Sequence, residues 1–212
     1  MPPEILEASM FEETRIIGDY SVITSIRIGK YEIALCENDE APNDERYLCG
    51  YIENNGILES LNDCMVSESY ADIVTVFGDR VAEKGEAVQL ELERIQKEIG
   101  DDSALHYGDC IPISSEDCIK DKVIVLREDN LRPEYKRASY QLLFCTGGFG
   151  AQSNARGRTC FATRIYDAEK INCQRCDVLG IVPEENLPDW AKDKLKEIKQ
   201  IETRKKDTRG DR

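Results

Sequence analysis

One long segment in the first half of the chain carries apolar residues at every third or fourth position, and this period constrains the fold more than any other feature. Such spacing places the apolar side chains on one face of a long helix. Ser67 or Ser69 is suited to cap its start, and Gly100 to end it. Gly78 and Gly85 each weaken a helix by about 1 kcal/mol relative to alanine, so a bend or break near them is expected. The apolar positions are Tyr70, Ile73, Val74, Phe77, Val81, Val88, Leu92, Ile95 and Ile99.

On the N-terminal side of this segment, β-branched and aromatic residues predict strands instead. Residues Tyr20–Ile28 and Tyr31–Glu37 are separated only by Gly29 and Lys30, which is typical of a β-hairpin. A charged loop leads to a third strand near residues 46–53, and Asn-Asn-Gly at 54–56 marks the next turn. The sequence therefore predicts a three-stranded antiparallel meander before the helix.

Beyond the helix the pattern returns to short strands. Four are predicted, at residues 122–128, 140–146, 159–166 and 176–182, with residues 167–170 joining the third to the fourth. A helix from Ala191 to about Thr203 follows, and the terminal RKKDTRGDR is predicted to be disordered.

These patterns predict an α+β fold in two modules. Residues 1–105 form the acidic meander with its long helix. Residues 106–206 form a small antiparallel sheet or partly open barrel with a terminal helix, and residues 207–212 a disordered tail.

The net negative charge of the chain comes from its first half. The 212 residues have a net charge of −14, but residues 1–105 hold 24 acidic against 8 basic side chains, whereas residues 106–212 hold 18 against 20. A negative field repels nucleic acid and anionic membranes and attracts basic surfaces. The predicted partner of the first half is therefore a basic protein surface, and direct binding of DNA or RNA by this half is not expected. The contacts predicted on the polar face of the 67–99 helix are Asp72, Asp79, Glu83 and Glu86, although a charge run of this kind also suits a purely solvated surface.

Hydropathy and cysteine usage predict a cytoplasmic protein. No apolar run approaches the roughly 18 residues of a membrane span, and the N-terminal MPPEILEASMFEETR lacks the pattern of a signal peptide. Nine cysteines, an odd number, are interpreted as reduced thiols. Cys36, Cys49, Cys145 and Cys160 alternate with apolar residues and are predicted to lie in the core.

The segment FCTGGFGAQSNARGRTCF, residues 144–161, is the densest cluster of glycines in the chain. A phosphate-binding loop places its glycines directly before a helix, whereas these lie between two predicted strands, and no Gly-Lys-Ser/Thr follows them. The loop 147–158 is nevertheless long for a hairpin, and long ordered loops are often functional. Two interpretations stay open: a wide turn whose arginines pair with the protein's own acids, or a site for nucleic acid or another anionic ligand. The residues of that site would be Gly147, Gly148, Gly150, Arg156 and Arg158.

Metal binding is a weaker alternative, resting on the Cys-x-x-Cys pair Cys173 and Cys176. Cys145 and Cys160 would complete four thiolates if the strands brought them close. A zinc ribbon usually contains two Cys-x-x-Cys pairs, so ordinary thiols are favoured and no cofactor is predicted.

No constellation of catalytic residues is found. His106 is the only histidine, and together with Asp109 it is interpreted as part of a polar linker in preference to a catalytic cluster. The sequence also lacks a Gly-x-Ser-x-Gly elbow. The protein is therefore predicted not to be an enzyme.

The C-terminal half carries a set of short motifs: Pro-Glu-Tyr at 133–135, Gln-Leu at 141–142, the Gly-Gly-Phe-Gly loop, and Leu-Pro-x-Trp at 187–190. In these motifs the chain resembles uncharacterised accessory proteins of conjugative elements and phages from Gram-positive gut bacteria. That resemblance implies a cargo protein of a mobile genetic element, a class that includes anti-CRISPR and anti-restriction inhibitors. The members lack the Cys173 and Cys176 pair, which argues further against zinc.

Charge and resemblance together predict a non-enzymatic inhibitor. Its acidic surface would occupy the lysine- and arginine-lined groove in which a CRISPR nuclease or restriction enzyme holds nucleic acid. The alternative is a nucleic-acid or anionic-ligand binding module acting through the loop 147–158.

Overall fold

The computed structural model describes residues 14–210, with side chains up to Glu202, and has an α+β fold. Its contacts group into two compact units, one ending at Leu90 and the other beginning at Glu91. This division falls inside the long helix, whereas the sequence predicts a boundary at residue 105. We refer to the two groups as the first unit and the second unit.

The first unit contains a five-stranded antiparallel sheet of strand order β1-β2-β3-β4-β5. The β2–β3 hairpin has the predicted bounds, and Gly29 adopts the positive φ of 55° that its two-residue turn requires. The predicted three-stranded meander is therefore present, with one further strand on each side. The strands are β1 (Ile16–Ile17), β2 (Tyr20–Ile28), β3 (Tyr31–Glu37), β4 (Tyr47–Asn54) and β5 (Glu59–Ser67).

This sheet is curled, and β1 approaches β5. Arg15, just before β1, donates to Glu59 of β5 at 2.6 Å and to Glu32 of β3 at 2.5 Å. An apolar core lies on the inner, concave face of the curled sheet. That core contains Ile17, Ala34, Cys36, Leu48 and Ile52.

Helix α1 (Tyr70–Ile99) covers the other face of this sheet with its first part. Ile73, 1% exposed, packs with Ile33, Leu35 and Cys49, and burial of such a side chain contributes about 1.5–3 kcal/mol. Ser69 caps the helix by accepting the Asp72 backbone N–H at 3.3 Å, as predicted. The helix continues without a break through Gly78 and Gly85, because glycine lowers helix stability but keeps the backbone N–H and C=O of the hydrogen-bond ladder.

The second unit contains a six-stranded sheet of order β10-β9-β8-β7-β11-β6. All of its paired strands are antiparallel, and β10 and β6 form its edges, so the sheet is open. Residues 167–170 lead from β9 into β10, an additional strand, and not directly into the predicted fourth strand. The strands are β6 (Ile111–Pro112), β7 (Val123–Leu126), β8 (Leu142–Gly147), β9 (Thr159–Arg164), β10 (Lys170–Gln174) and β11 (Val178–Ile181).

Two helices accompany this sheet, α2 (Ala138–Gln141) and α3 (Asp189–Gly210). Leu195 and Ile198 of α3 are buried in the core on one face of the sheet. Helix α3 extends beyond Thr203 to Gly210 and so includes residues predicted to be disordered, while 211–212 lie outside the described residues. Among the helices of the described chain, none combines the length and the apolar character of a membrane span.

The last part of α1 belongs to the second unit and is held there by aromatic side chains. Ile95, 1% exposed, packs with Tyr140 and Tyr166. The Tyr140 hydroxyl donates to Glu91 at 2.9 Å, and the Tyr166 hydroxyl donates to Glu98 at 2.7 Å. Burial and these carboxylates raise the pKa of both tyrosines, which therefore keep their protons.

Candidate functional site

The acidic helix face consists of Asp72, Asp79, Glu83 and Glu86, the four predicted contact residues, and all four are exposed. They follow one another at intervals of seven, four and three residues. At 3.6 residues per turn, these intervals confine the side chains to about 60° of the helix circumference. They extend over about 21 Å of the helix axis. The first unit therefore presents a narrow line of carboxylates on the side of α1 away from its buried residues.

Three of these carboxylates are not neutralised within the part of the chain that the structure describes. Asp72, Asp79 and Glu86 form no ion pair with another residue of that part. Glu83 differs, because Lys84 donates to it at 2.7 Å, and this hydrogen bond lowers the pKa of Glu83. The Lys84 ammonium also lies 4.9 Å from the ring centroid of Tyr31, on the sheet side of the helix.

Most basic side chains of the first unit are already paired with acids of the same unit. These pairs are Arg15 with Glu32 and Glu59, Arg27 with Glu32, Arg46 with Asp39, and Arg80 with Asp63. Few basic side chains of this unit therefore remain to offset its other carboxylates. The acidic helix face keeps its negative charge and produces a negative field around it.

The glycine-rich loop runs from β8 to β9, as predicted, through a single 3-10 turn at Phe149–Ala151. Its glycines permit close contact with the protein's own backbone. A Cβ atom on Gly148 would lie 2.5 Å from the Thr159 carbonyl oxygen, and one on Gly150 would lie 2.3 Å from that of Arg158. Gly148 also has a φ of 100°, which favours glycine. Gly148 and Gly150 are thus required by the packing of the loop on β9, and the loop has none of the helix geometry of a phosphate cradle.

Arg175, which the sequence analysis does not single out, fixes this loop from the other side. Its guanidinium donates to the carbonyl oxygens of Gly150, Ser114 and Asp117, each at 2.7 Å. A planar guanidinium has donors directed to both sides, as such a set of acceptors requires. The only sequence signal for Arg175 is its position inside the Cys-x-x-Cys segment, a pattern that indicates a role for the cysteines and not for the residues between them.

Arg156 and Arg158 are both exposed, and within residues 14–202 neither forms an ion pair with an acidic side chain. The structure therefore does not contain the pairing expected of a turn whose arginines neutralise the protein's own acids. Phe149, in the same loop, is 82% exposed. This exposure could not be predicted from the sequence, since a phenylalanine between glycines is equally consistent with a buried anchor.

The four cysteines of the zinc alternative do not come together. Cys145, Cys160 and Cys173 are buried in one core, where Cys160 lies opposite Cys173 on neighbouring strands, but Cys176 is exposed. Burial raises the pKa of Cys145 to about 11 and that of Cys173 to about 12, so these thiols keep their protons. In the described residues, no group of three or more His, Cys, Asp or Glu side chains is arranged to hold a metal ion.

The predicted burial of cysteines is confirmed for Cys36, Cys49, Cys145 and Cys160. Each lies in a strand and faces an apolar core, where a thiol behaves as a small apolar group.

His106 takes part in local structure. It is exposed, and its Nδ1 lies 2.9 Å from Glu128. The Asp109 carboxylate accepts the His106 backbone N–H at 2.8 Å and so closes the 3-10 turn Tyr107–Asp109. These contacts agree with the interpretation of this segment as a polar linker.

No family model matches this chain, and comparisons with curated proteins and with solved structures find no match either. The resemblance to accessory proteins of mobile elements therefore stays a prediction. The motif residues on which the resemblance rests pack inside the second unit. Tyr135 stacks on Tyr140 with ring centroids 4.2 Å apart, and Trp190 contacts Tyr166 edge-on with centroids 6.3 Å apart. Gln141 is fully buried and bonds the backbone of Leu105.

Proposed function

We propose that this protein is a non-enzymatic, cytoplasmic inhibitor encoded by a mobile element. In this proposal it binds a nucleic-acid-handling defence protein, a CRISPR nuclease or a restriction enzyme, through the acidic helix face. The observation that carries the proposal is the line of four exposed carboxylates, three of them without an ion-pair partner in the described chain.

The dimensions of this line suit a groove built for nucleic acid. One strand of B-DNA carries a charge about every 3.4 Å of helix axis, so about 21 Å corresponds to roughly six phosphates. The acidic helix face presents four charges over that length, a lower density than DNA. Because its side chains are exposed, its main contributions are a faster approach to a basic groove and discrimination against acidic surfaces.

The packing of α1 supports a fixed presentation of these charges. Ile73 is buried against the sheet, and Phe77 and Val81 pack beside it. The carboxylates on the other side of the helix are therefore held on a rigid element, which reduces the ordering cost of binding.

Charge reversal tests the proposal. The variant D72K/D79K/E83K/E86K is expected to lose inhibition of DNA cleavage by a sensitive nuclease, measured with purified components. A matched variant reverses four exposed acids of the second unit, Glu116, Asp129, Glu185 and Glu197, and is expected to inhibit like the unchanged protein. Circular dichroism melts of both variants distinguish lost binding from lost folding.

Kinetics provides a second readout. If the acidic helix face directs association, the association rate constant falls steeply as salt rises, since the Debye length shortens from about 30 Å at 0.01 M to about 8 Å at 0.15 M. DNA added before the protein should also compete with inhibition. Undiminished inhibition by the reversed variant, or inhibition that excess DNA does not affect, would contradict the proposal.

A further inference from the structure

We propose that the loop 147–158 is a second binding site, and that its ligand is single-stranded nucleic acid. Phe149 provides a stacking surface for a base, and Arg156 and Arg158 contact the phosphate backbone. We call these three residues the aromatic loop site. It is independent of the acidic helix face, since it lies in the second unit and uses other chemistry.

The exposure of Phe149 is the first observation. Its side chain is 82% exposed, although an aromatic side chain of this size contributes strongly to stability when buried. Gly157 lies directly against the base of this side chain: a Cβ atom on Gly157 would lie 2.6 Å from the Phe149 Cβ and 3.5 Å from its Cγ, so only glycine allows this close approach. The base of the side chain is therefore packed on the loop, while most of the residue is open to solvent.

The two arginines are the second observation. Arg156 and Arg158 are exposed in the same loop as Phe149 and, among the side chains described, have no acidic partner. The net charge of this half is not negative, because residues 106–212 hold 18 acidic and 20 basic side chains. Two exposed guanidinium groups in the same loop as an exposed ring match the combination of backbone charge and base stacking by which proteins bind single strands.

The third observation is that the loop is already ordered. Arg175 holds the Gly150 carbonyl, and the Asn154 backbone N–H donates to Ser115 at 2.7 Å. On the other side of the 3-10 turn, the Ile119 backbone N–H donates to the Ala151 carbonyl at 2.9 Å. A site fixed in this way binds without first paying to order its own loop.

A single strand fits these residues better than a duplex or an acidic peptide. In a duplex the base faces are stacked on one another and are closed to Phe149, whereas a single strand exposes them. An acidic peptide would use the two arginines but would gain no stacking from the ring.

The test is fluorescence anisotropy of the full chain with labelled probes at about 20 to 300 mM salt. The probes are single-stranded DNA and RNA of about 20 nucleotides, the corresponding DNA duplex, and a polyglutamate peptide. We expect single strands to bind more tightly than the duplex or the peptide. F149A should weaken single-strand binding at least about fivefold, and F149W should retain it. R156A/R158A should reduce the slope of log affinity against log salt by about 1.4, or about 0.7 for each lost phosphate contact.

Matched variants keep the test specific. Tyr107, another exposed aromatic of the second unit, is the control for Phe149. Lys192 and Lys196 of α3, which pair with Asp189 and Asp193, control for the removal of two positive charges elsewhere in this unit. Y107A and K192A/K196A are expected to bind single strands like the unchanged protein. The proposal is overturned if no single strand binds at tens of micromolar in low salt, or if F149A and Y107A behave alike. It is also overturned if polyglutamate binds as tightly as the single strands, which would assign the arginines to an acidic peptide.

Discussion

Arg175 donates to the carbonyl oxygen of Gly150 at 2.7 Å and thereby fixes the turn that carries Phe149. The same guanidinium reaches Ser114 and Asp117, which are more than fifty residues away in sequence. One side chain thus connects the glycine-rich loop to the segment that precedes β7. The order of the loop depends on a residue outside it.

Replacement of Arg175 is therefore expected to loosen the loop 147–158. Hydrogen bonds from a charged donor contribute about 1.5–3 kcal/mol, so R175A should lower the free energy of unfolding by about 2 kcal/mol in urea denaturation. R175K should recover little of this, because a single ammonium group does not reproduce the fork of the guanidinium. R156A is the matched control, expected to change stability by less than about 0.5 kcal/mol. A urea denaturation curve for R175A that matches the unchanged protein would show that the carbonyl contacts contribute little.

Two glycines of the chain should respond to alanine in opposite directions. G150A places a Cβ atom 2.3 Å from the Arg158 carbonyl oxygen, a clash with backbone, and is expected to lose about 2–4 kcal/mol. G78A lies inside α1 with nothing within 4 Å of the new atom, and is expected to gain about 0.5–1 kcal/mol. Thermal denaturation of both variants measures the contrast. Equal effects would contradict the close packing of the loop on β9.

Acid should destabilise the first unit through Glu32. Burial alone would raise the pKa of Glu32, but hydrogen bonds from Arg15, Arg27 and Ser25 outweigh it, and the pKa is lowered from its usual 4.5. A lowered folded-state pKa stabilises the fold above the unfolded-state pKa, and this contribution is lost as the pH falls through the folded-state value. The free energy of unfolding should therefore decline below about pH 4.5, and E32Q should weaken that dependence.

The control for E32Q is E53Q. Glu53 is exposed on β4 and forms no ion pair within the described chain. Urea denaturation from about pH 3 to 7 should give the unchanged protein and E53Q the same slope against pH. If the free energy of unfolding of E32Q and of E53Q depends on pH with the same slope, the ion pair of Arg15 with Glu32 does not account for the loss of stability in acid.

Thiol reactivity should separate the nine cysteines by burial. Cys118 and Cys176 are exposed and should be alkylated first by iodoacetamide at neutral pH. Cys64 is also exposed, but burial of its thiol raises its pKa, so it should react after them. Cys173 should react slowly, because it is buried and its pKa is raised to about 12. Mass spectrometry after timed quenching measures each site. Protection of Cys176 that a chelator removes would instead support the zinc alternative.

The parts of the fold that the sequence predicts well are those with a local apolar pattern. Strands β2 and β3 have the predicted bounds, and α1 begins within a few residues of its predicted start, because their apolar residues repeat at the period of the element. Strand β5 lacks such a pattern: Ser60, Asn62 and Asp63 are polar and exposed. Its pairing with β4 is visible only in three dimensions.

The candidate sites divide in the same way. The acidic helix face follows from helical spacing, so sequence was sufficient to define it. The exposure of Phe149 and the contacts of Arg175 depend on where β9 and residues 114–117 lie in the fold. The residues around Phe149 and Arg175 in the sequence do not predict these positions. Strand β10 alternates in sequence but is not among the predicted strands, and its Cys173 is considered only as part of the weaker zinc alternative.

The course of α1 through both compact units decides where the protein can be divided. A protein cut near residue 105, in the loop after the helix, would leave the second unit without Leu92, Ile95 and Ile99. Tyr140 and Tyr166 would then face water, and a fragment of this kind is expected to self-associate. A half-molecule meant to bind nucleic acid on its own must therefore retain the last turns of a helix that the sequence assigns to the other half.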